Sequence, residues 1–388
     1  MRYYLKKLVM NISEKINLGA IRNYIYINFE WFLLKNLSKF NKRTNKNKCI
    51  VMMDSIGDSI AWLNFIVSML QSDKVQWEII CNVTSYEIFN QLNIFKNIHS
   101  VDSKKYQKSL IYRLKINFKL AKNNSYIETY HLAYSRSMML GDSIVRAVKS
   151  NKKYGINGNN LNNTIYLNKL TEKWYTNLIN FDEKLTYIGD IQKRLAKVLG
   201  IRIINNINYK EIYKSNNAYL KKNKNFILIN PGASSKFRRW GSYKFFRIMQ
   251  YLLKHTDTDT DILICGDIGE VSLGRKLENL IQSDRVHNLV ARLSLIEYIH
   301  IIGSAKFVIC NESSTYHIAK LLNIKSYVIL GGGHFQRFVD VNDNFHKAIY
   351  SKMNCYGCNW ECIYSYKKNT SYPCIDIINS SQLQEIIF

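Results

Sequence analysis

Four short segments of this 388-residue chain join small residues to groups that bind anions or move protons. The first is Asp54-Ser55-Ile56-Gly57-Asp58, after an apolar run. Gly57 permits close backbone approach or a positive φ, and Asp58 falls at the start of a helix, where a carboxylate can take a proton from a substrate hydroxyl. A plain helix cap is the alternative for Asp58. The second is Pro231-Gly232-Ala233-Ser234-Ser235-Lys236-Phe237-Arg238-Arg239-Trp240. Small residues after a strand expose backbone N–H groups, and three cations follow, so the segment suits a diphosphate. A solvated basic turn anchored by Trp240 is the alternative.

The third segment, Asn311-Glu312-Ser313-Ser314-Thr315-Tyr316-His317, puts hydroxyls and free N–H groups at another helix start. His317, taken alone, reads as a structural histidine. The fourth, Gly331-Gly332-Gly333-His334 followed by Arg337, leaves room for a ligand or for another backbone, or is a flexible turn. The D-x-D spacings in Asp257–Asp261 imitate a metal-binding motif, but they fall between a helix and the start of a strand and read as a surface turn. A P-loop, a G-x-G-x-x-G fingerprint, H-E-x-x-H and G-x-S-x-G are all missing from the sequence.

Each segment needs a strand to end and a helix to begin beside it. From Cys49 the chain alternates on that pattern: strands at 49–53, 77–83, 98–101 and 126–134, with helices at about 59–70, 85–92, 106–123, 137–149 and 183–199. A second alternating region has strands at 226–230, 261–265, 286–289, 307–310 and 326–330, and helices at 242–254, 271–282, 294–302 and 315–322. This is an α/β pattern of parallel sheets with helices on both faces, in which ligands bind outside the carboxyl ends of the strands. The domains expected are a basic extension at 1–48, a first Rossmann-like domain at 49–205, a polar linker at 206–225, a second Rossmann-like domain at 226–350 and a Cys-rich tail at 351–388. Two such domains facing one another make a cleft.

Composition bounds the rest. Hydrophobic residues make up 47% of the chain, enough for sizeable cores, and no apolar run is long enough to span a bilayer. No apolar signal region follows the basic N-terminus, so a cytoplasmic chain is expected. The net charge of +26 points to an acidic partner, although much of the excess is Lys interleaved with Asn. Residues 1–48 carry 11 Lys or Arg and two acids, with apolar residues at helical spacing, which suits an anionic membrane surface or packing on the body of the protein. Cys355, Cys358, Cys362 and Cys374 have C-x2-C-x3-C-x11-C spacing. Four thiolates suit a closed, structural zinc or iron site, with reduced thiols or two disulfides as alternatives.

The ordered set MDSIGDSIAWLNFI, INPGASSKFRRW, LICGDIGE, LVARLSLIEYIHIIGSAKFVICNESSTYHIAKLLNIKSYVILGG and CYGCNWECIY…YPCIDII resembles glycosyltransferase family 9, the bacterial ADP-heptose:lipopolysaccharide heptosyltransferases, over about residues 49–388. The resemblance implies a GT-B fold, two Rossmann-like doubly wound domains with an interdomain cleft, and inverting transfer without a catalytic cofactor or metal. It implies that Asp58 is the catalytic base. It assigns donor binding to Ser234, Lys236, Arg238, Glu270, Glu312, Ser313, Ser314 and His317, with Arg238 at the phosphates and Glu270 at the nucleoside. It also implies a small C-terminal knuckle at the cysteines. Glu312 stands where the family has Asp, Ser314 where it has Gly, and Arg238 where it has Lys. The partners implied are ADP-heptose and a phosphorylated glycolipid, lipopolysaccharide or lipooligosaccharide, at the inner face of the inner membrane. A protein O-heptosyltransferase, a nucleic-acid-binding protein and a catalytically silent nucleotide-sugar binder are the alternatives. No module for nucleic acid accompanies the charge.

Overall fold

The strands that open both alternating regions are nearly continuous apolar runs, as strands covered on both faces must be. Phe226–Asn230 is buried at every position, and Lys48–Met52 at all but its first. In a computed structural model of the chain, which describes residues 18–37, 46–123, 125–181, 187–217, 219–220, 225–364 and 370–387, they sit at the centres of two parallel sheets.

The first sheet holds β1 (Lys48–Met52), β2 (Trp77–Asn82), β3 (Asn97–Val101), β4 (Ser125–His131), β5 (Lys149–Asn157) and β6 (Asn177–Asn180), in the order β3-β2-β1-β4-β5-β6. The second holds β7 (Phe226–Asn230), β8 (Asp261–Ile264), β9 (Val286–Asn288), β10 (Val308–Asn311), β11 (Ser326–Ile329) and β12 (His346–Ile349), in the order β9-β8-β7-β10-β11-β12. Every pairing is parallel. Both orders are the doubly wound one, whose chain reverses direction beside the first strand. Each sheet belongs to its own compact unit, and the main crossing between units falls at Ile203–Ile204.

Register decides which loops meet. In the second sheet β10 lies between β7 and β11, with Cys310 opposite Asn230 and Asn311 opposite Ile329. The three strands therefore end level, and the loops that follow them converge. In the first sheet Val51 of β1 lies opposite Ile80 of β2 and His131 of β4.

Several boundaries differ from the sequence reading. The helix expected at 59 begins at Ile56, so Gly57 and Asp58 form its first turn, and Gly57 is not among the glycines with positive φ. The segment read as one helix from Ser137 to Lys149 is a π turn at Met138–Asp142, a short helix at Ser143–Ala147 and the start of β5. Gly141 allows that turn to pass over His131, since a Cβ there would come within 2.2 Å of Nε2. The linker expected at 206–225 is not a bare tether: it includes a helix at Tyr209–Ile212 and buries Tyr209 and Tyr213. Of the basic N-terminal extension, residues 1–17 and 38–45 lie outside the described residues, and Leu18–Leu37 is a helix.

Candidate functional site

Asn311, the last residue of β10, organises the second unit's loops. Its amide donates to the carbonyls of Pro231 (2.8 Å) and Gly232 (3.1 Å), and its carbonyl accepts from the Trp240 N–H (3.1 Å). One buried side chain thus fixes both ends of the 231–240 loop. Asn230 adds a bond from the Gly232 N–H (2.9 Å) and donates to Thr315 (2.8 Å) and Tyr298 (2.7 Å). Trp240 is fully buried and donates its indole N–H to the Ile378 carbonyl.

Within that frame, the Arg238 guanidinium donates to the Ser234 hydroxyl (3.1 Å) and the Glu312 carbonyl (3.4 Å), and lies 3.5 Å from the Glu312 carboxylate. His334 stands on the other side of that carboxylate, 3.6 Å away. Ser313 caps the Ser314–Leu321 helix through its backbone, and its hydroxyl makes no capping bond. His317, in the same helix, and His334 both meet the Phe338 ring edge to face.

The third wall comes from the Cys-rich tail. Trp360 packs against Gly331 and Gly333, where a Cβ would approach its ring to 2.7 and 2.2 Å, and Tyr356 packs likewise against Gly332. The triple glycine therefore makes room for two aromatic rings. Gly357 and Asn359 donate backbone bonds to Gly332 and Gly333 (2.8 and 3.0 Å). Trp360 itself has φ +66°, a left-handed conformation that costs a bulky residue roughly 1–3 kcal/mol. It holds the indole under Arg238 (4.5 Å to the ring centroid) and beside His334 (5.5 Å).

Five buried polar atoms in this cluster lack a hydrogen-bond partner: Arg238 Nε, Ser313 Oγ and Trp360 Nε1, and also Glu312 Oε2 and His334 Nδ1, which keep only the ion-pair distances of 3.5 and 3.6 Å. Leaving such an atom unpaired costs about 1–3 kcal/mol, so folded chains keep few of them, and several together mark a place built for a polar ligand. Burial pushes the Glu312 carboxyl up, but His334 and the charges of Arg238 and His317 outweigh it and hold the group ionised below its ordinary range.

The remaining expected donor residues divide. Ser314 opens the helix, in register with the cluster, while Ser234 and Lys236 are exposed on the basic turn. Glu270 forms a neighbouring pair, accepting from Arg239 (2.9 Å) and the Asp267 N–H (2.7 Å). Its carboxyl lies so near Gly232 that a Cβ there would come within 2.5 Å. Burial raises Glu270 to about 7, against the pull of the Asp267 N–H and the Arg239 charge. Arg239 was one of the three cations of the second segment, whereas sequence reasoning missed His334 and Trp360 as members. His334 was in view in the fourth segment, and Trp360 lay inside the cysteine cluster.

In the first unit, Asp58 is the third residue of the Ile56–Gln71 helix and accepts a bond from the Ser55 hydroxyl (2.6 Å). Ser55 is the N-cap but spends its side chain on Asp58 rather than on the backbone, and an acid in the first turn suits the helix dipole. At the end of β4 a second polar cluster is buried. Tyr175 donates to Asp142 (2.6 Å) and accepts from His131 Nδ1 (2.7 Å). Burial brings His131 down to about 4, so it is neutral. Arg136 stacks on Tyr175, and its NH2 has no partner.

At the four cysteines the structure forms no ligand set of the kind expected. Among the described residues no group of three or more His, Cys, Asp or Glu is placed to hold a metal ion, and all eight cysteines are free thiols. The four sulfurs lie near enough for their charges to act on one another. Cys374 accepts the Gly332 N–H (3.3 Å), and Cys362 donates to the Tyr364 carbonyl. Burial and the charge of their neighbours push the thiols of Cys355, Cys358 and Cys374 up, the last to about 11.

Residues 201–363 match the sequence family described as glycosyltransferase family 9 (heptosyltransferase). No curated protein matches the chain. Among solved structures, the chain is similar to Escherichia coli ADP-heptose lipopolysaccharide heptosyltransferase II, at 12% identity over 88% of this chain and 97% of that one, with a TM-score of 0.64. It is similar to E. coli heptosyltransferase WaaC with ADP, at 13% identity over 88% and 96%, with a TM-score of 0.62. It is also similar to a family 9 glycosyl transferase from Veillonella parvula, at 11% identity over 89% and 98%, with a TM-score of 0.66. At such identities the likeness concerns the fold, which is GT-B.

Proposed function

We propose that this chain is a family 9, heptosyltransferase-like glycosyltransferase that moves heptose from ADP-heptose onto a phosphorylated glycolipid of the lipopolysaccharide or lipooligosaccharide class, at the inner face of the inner membrane. The observation that carries the reading is the knot of unpaired buried polar atoms around Arg238, Glu312, Ser313, His334 and Trp360, inside the segment that matches the family.

In this reading Lys236, Arg238 and the first N–H groups of the Ser314–Leu321 helix take the charge that develops on the departing diphosphate. Such preorganised charge is often the largest catalytic contribution. Glu312 and His334 orient the sugar hydroxyls. Glu270, steadied by Arg239, faces the nucleoside. Asp58 takes the proton of the acceptor hydroxyl as its oxygen forms the new bond to the anomeric carbon and the diphosphate leaves from the opposite face, inverting the centre. A base so placed contributes about 10²–10⁴-fold.

Calorimetry with ADP-, GDP- and UDP-sugars tests the donor. ADP-heptose is expected to bind and the others to bind at least about tenfold more weakly, a gap of about 1.4 kcal/mol. No binding of any nucleotide-sugar would end the reading. Mass spectrometry of products from a deep-rough glycolipid and from a Ser/Thr-rich protein, supplied side by side, then separates glycolipid transfer from protein O-heptosylation.

A further inference from the structure

The helix Leu18–Leu37 is held to the first unit by one side. Ile27 enters the apolar core there. Glu30 and Arg113, both buried, form an ion pair at 2.5 Å. Arg146 lies between the rings of Trp31 (4.9 Å) and Trp174 (4.6 Å), and donates to Asn28 (3.1 Å). The other side carries Ile25, Tyr26, Phe29 and Phe32, at helical spacing and 61%, 44%, 53% and 63% exposed. A row of exposed large apolar side chains on a soluble surface marks an interaction site.

The neighbouring helix Leu110–Asn123, which supplies Arg113, has the matching polarity. Its outward residues are Ile111, Lys115, Lys119 and Lys122 at i, i+4, i+8 and i+11, with Ile111 81% exposed. No acid occurs between Ser103 and Asn123. Beside these helices opens a cavity of about 320 Å³, lined among others by Trp31, Arg146, Lys149, Ser150 and Lys153. Its walls are cationic and polar, suited to a phosphate group.

We propose that this face docks on an anionic lipid surface, with Ile25, Tyr26, Phe29, Phe32 and Ile111 entering the interface and the lysine row meeting the headgroups. A protein partner of ordinary composition has no need of a cationic row beside an aromatic one, whereas an anionic bilayer offers both counterparts at once. The inference rests on this surface alone and is independent of which sugar is transferred.

Co-sedimentation of the full chain with vesicles of phosphatidylglycerol and phosphatidylcholine, compared with phosphatidylcholine alone, tests it. Binding to the anionic vesicles is expected, and it should weaken at about 1 M salt, where charges are screened beyond about 3 Å. The pair Phe29→Ser/Phe32→Ser is expected to reduce partitioning by about tenfold or more. The triple Lys115→Ser/Lys119→Ser/Lys122→Ser should reduce it by about a hundredfold at low salt. Both variants alter solvent-facing side chains, so their melting temperatures, measured in parallel, should match that of the unaltered chain. Equal partitioning onto neutral and anionic vesicles would overturn the proposal, as would binding that ignores both variants. So would a concentration-dependent dimer, seen by light scattering, that the phenylalanine pair abolishes, since a second copy would then own the face.

Discussion

The Arg238 guanidinium rests 4.5 Å over the Trp360 ring, joining the basic turn after β7 to the cysteine-rich tail. The two residues have nothing to do with one another in the sequence, yet together they bound the group of unpaired polar atoms. A cation over an aromatic face is worth about 0.5–2 kcal/mol, depending on how dry it is. The same guanidinium also lies 3.5 Å from the Glu312 carboxylate.

Trp360→Ala should therefore weaken ADP-sugar binding by about threefold to thirtyfold. The double variant with Arg238→Ala should lose less than the sum of the single variants. Calorimetric Kd values for the four members of the cycle measure the coupling. Additive losses would show that the two side chains act separately.

Asp58→Asn keeps the size of the side chain and the bond from Ser55, and removes the capacity to hold a proton. Turnover should fall by about two decades or more, with the donor Kd unchanged. Initial rates and calorimetry on the same preparation check both halves. An unchanged rate would remove Asp58 from the chemistry.

Glu270 gives a pH signature. Its carboxyl is held near 7 in the folded chain, above its ordinary range, with burial as the leading cause. A raised acid favours the folded state while it is protonated. Its stability contribution is thus complete below about 4.5 and is lost as the pH rises through about 7. Melting temperatures across that window should fall less steeply in Glu270→Gln, which stays neutral. Parallel profiles would refute the assignment.

The free thiols predict indifference to chelation. Prolonged EDTA treatment should leave the melting temperature unchanged. Under native conditions a thiol reagent should reach the half-buried Cys355, Cys358 and Cys362 first, and Cys49, Cys81, Cys265 and Cys310 only on unfolding. A chelator-induced drop in melting temperature would restore the metal knuckle.

The central strands of both sheets were legible because burial on two faces demands the apolar runs that β1, β7 and β10 carry. The strands missed were β5, β6 and β12. β5 reads KSNKKYGIN and is buried only at Gly155 and Ile156, and β6 and β12 are short edge strands. Strands so placed need no long apolar run and leave little periodicity to find. The site was legible in the same partial way. Small-then-charged loops after strands announced Arg238, Glu312 and Ser313. Trp360 could not be placed, because its part depends on where a tail far along the chain folds back. The triple glycine did signal a close approach, but a glycine does not name what approaches it. The cysteine spacing suited a metal, and spacing does not set how the side chains are turned: no such ligand set is formed among the described residues.

The way Trp360 closes over Gly331 and Gly333 also sets an order of events during synthesis. The strands of the second sheet are all present once β12 has left the ribosome, but the proposed donor pocket would still lack a wall. Competence to hold a donor would arrive only with the residues that follow, which also carry Cys374, Ile375, Ile378, Leu383 and Ile387 into the same core, so a chain ending before them would lack both a wall and part of its interior.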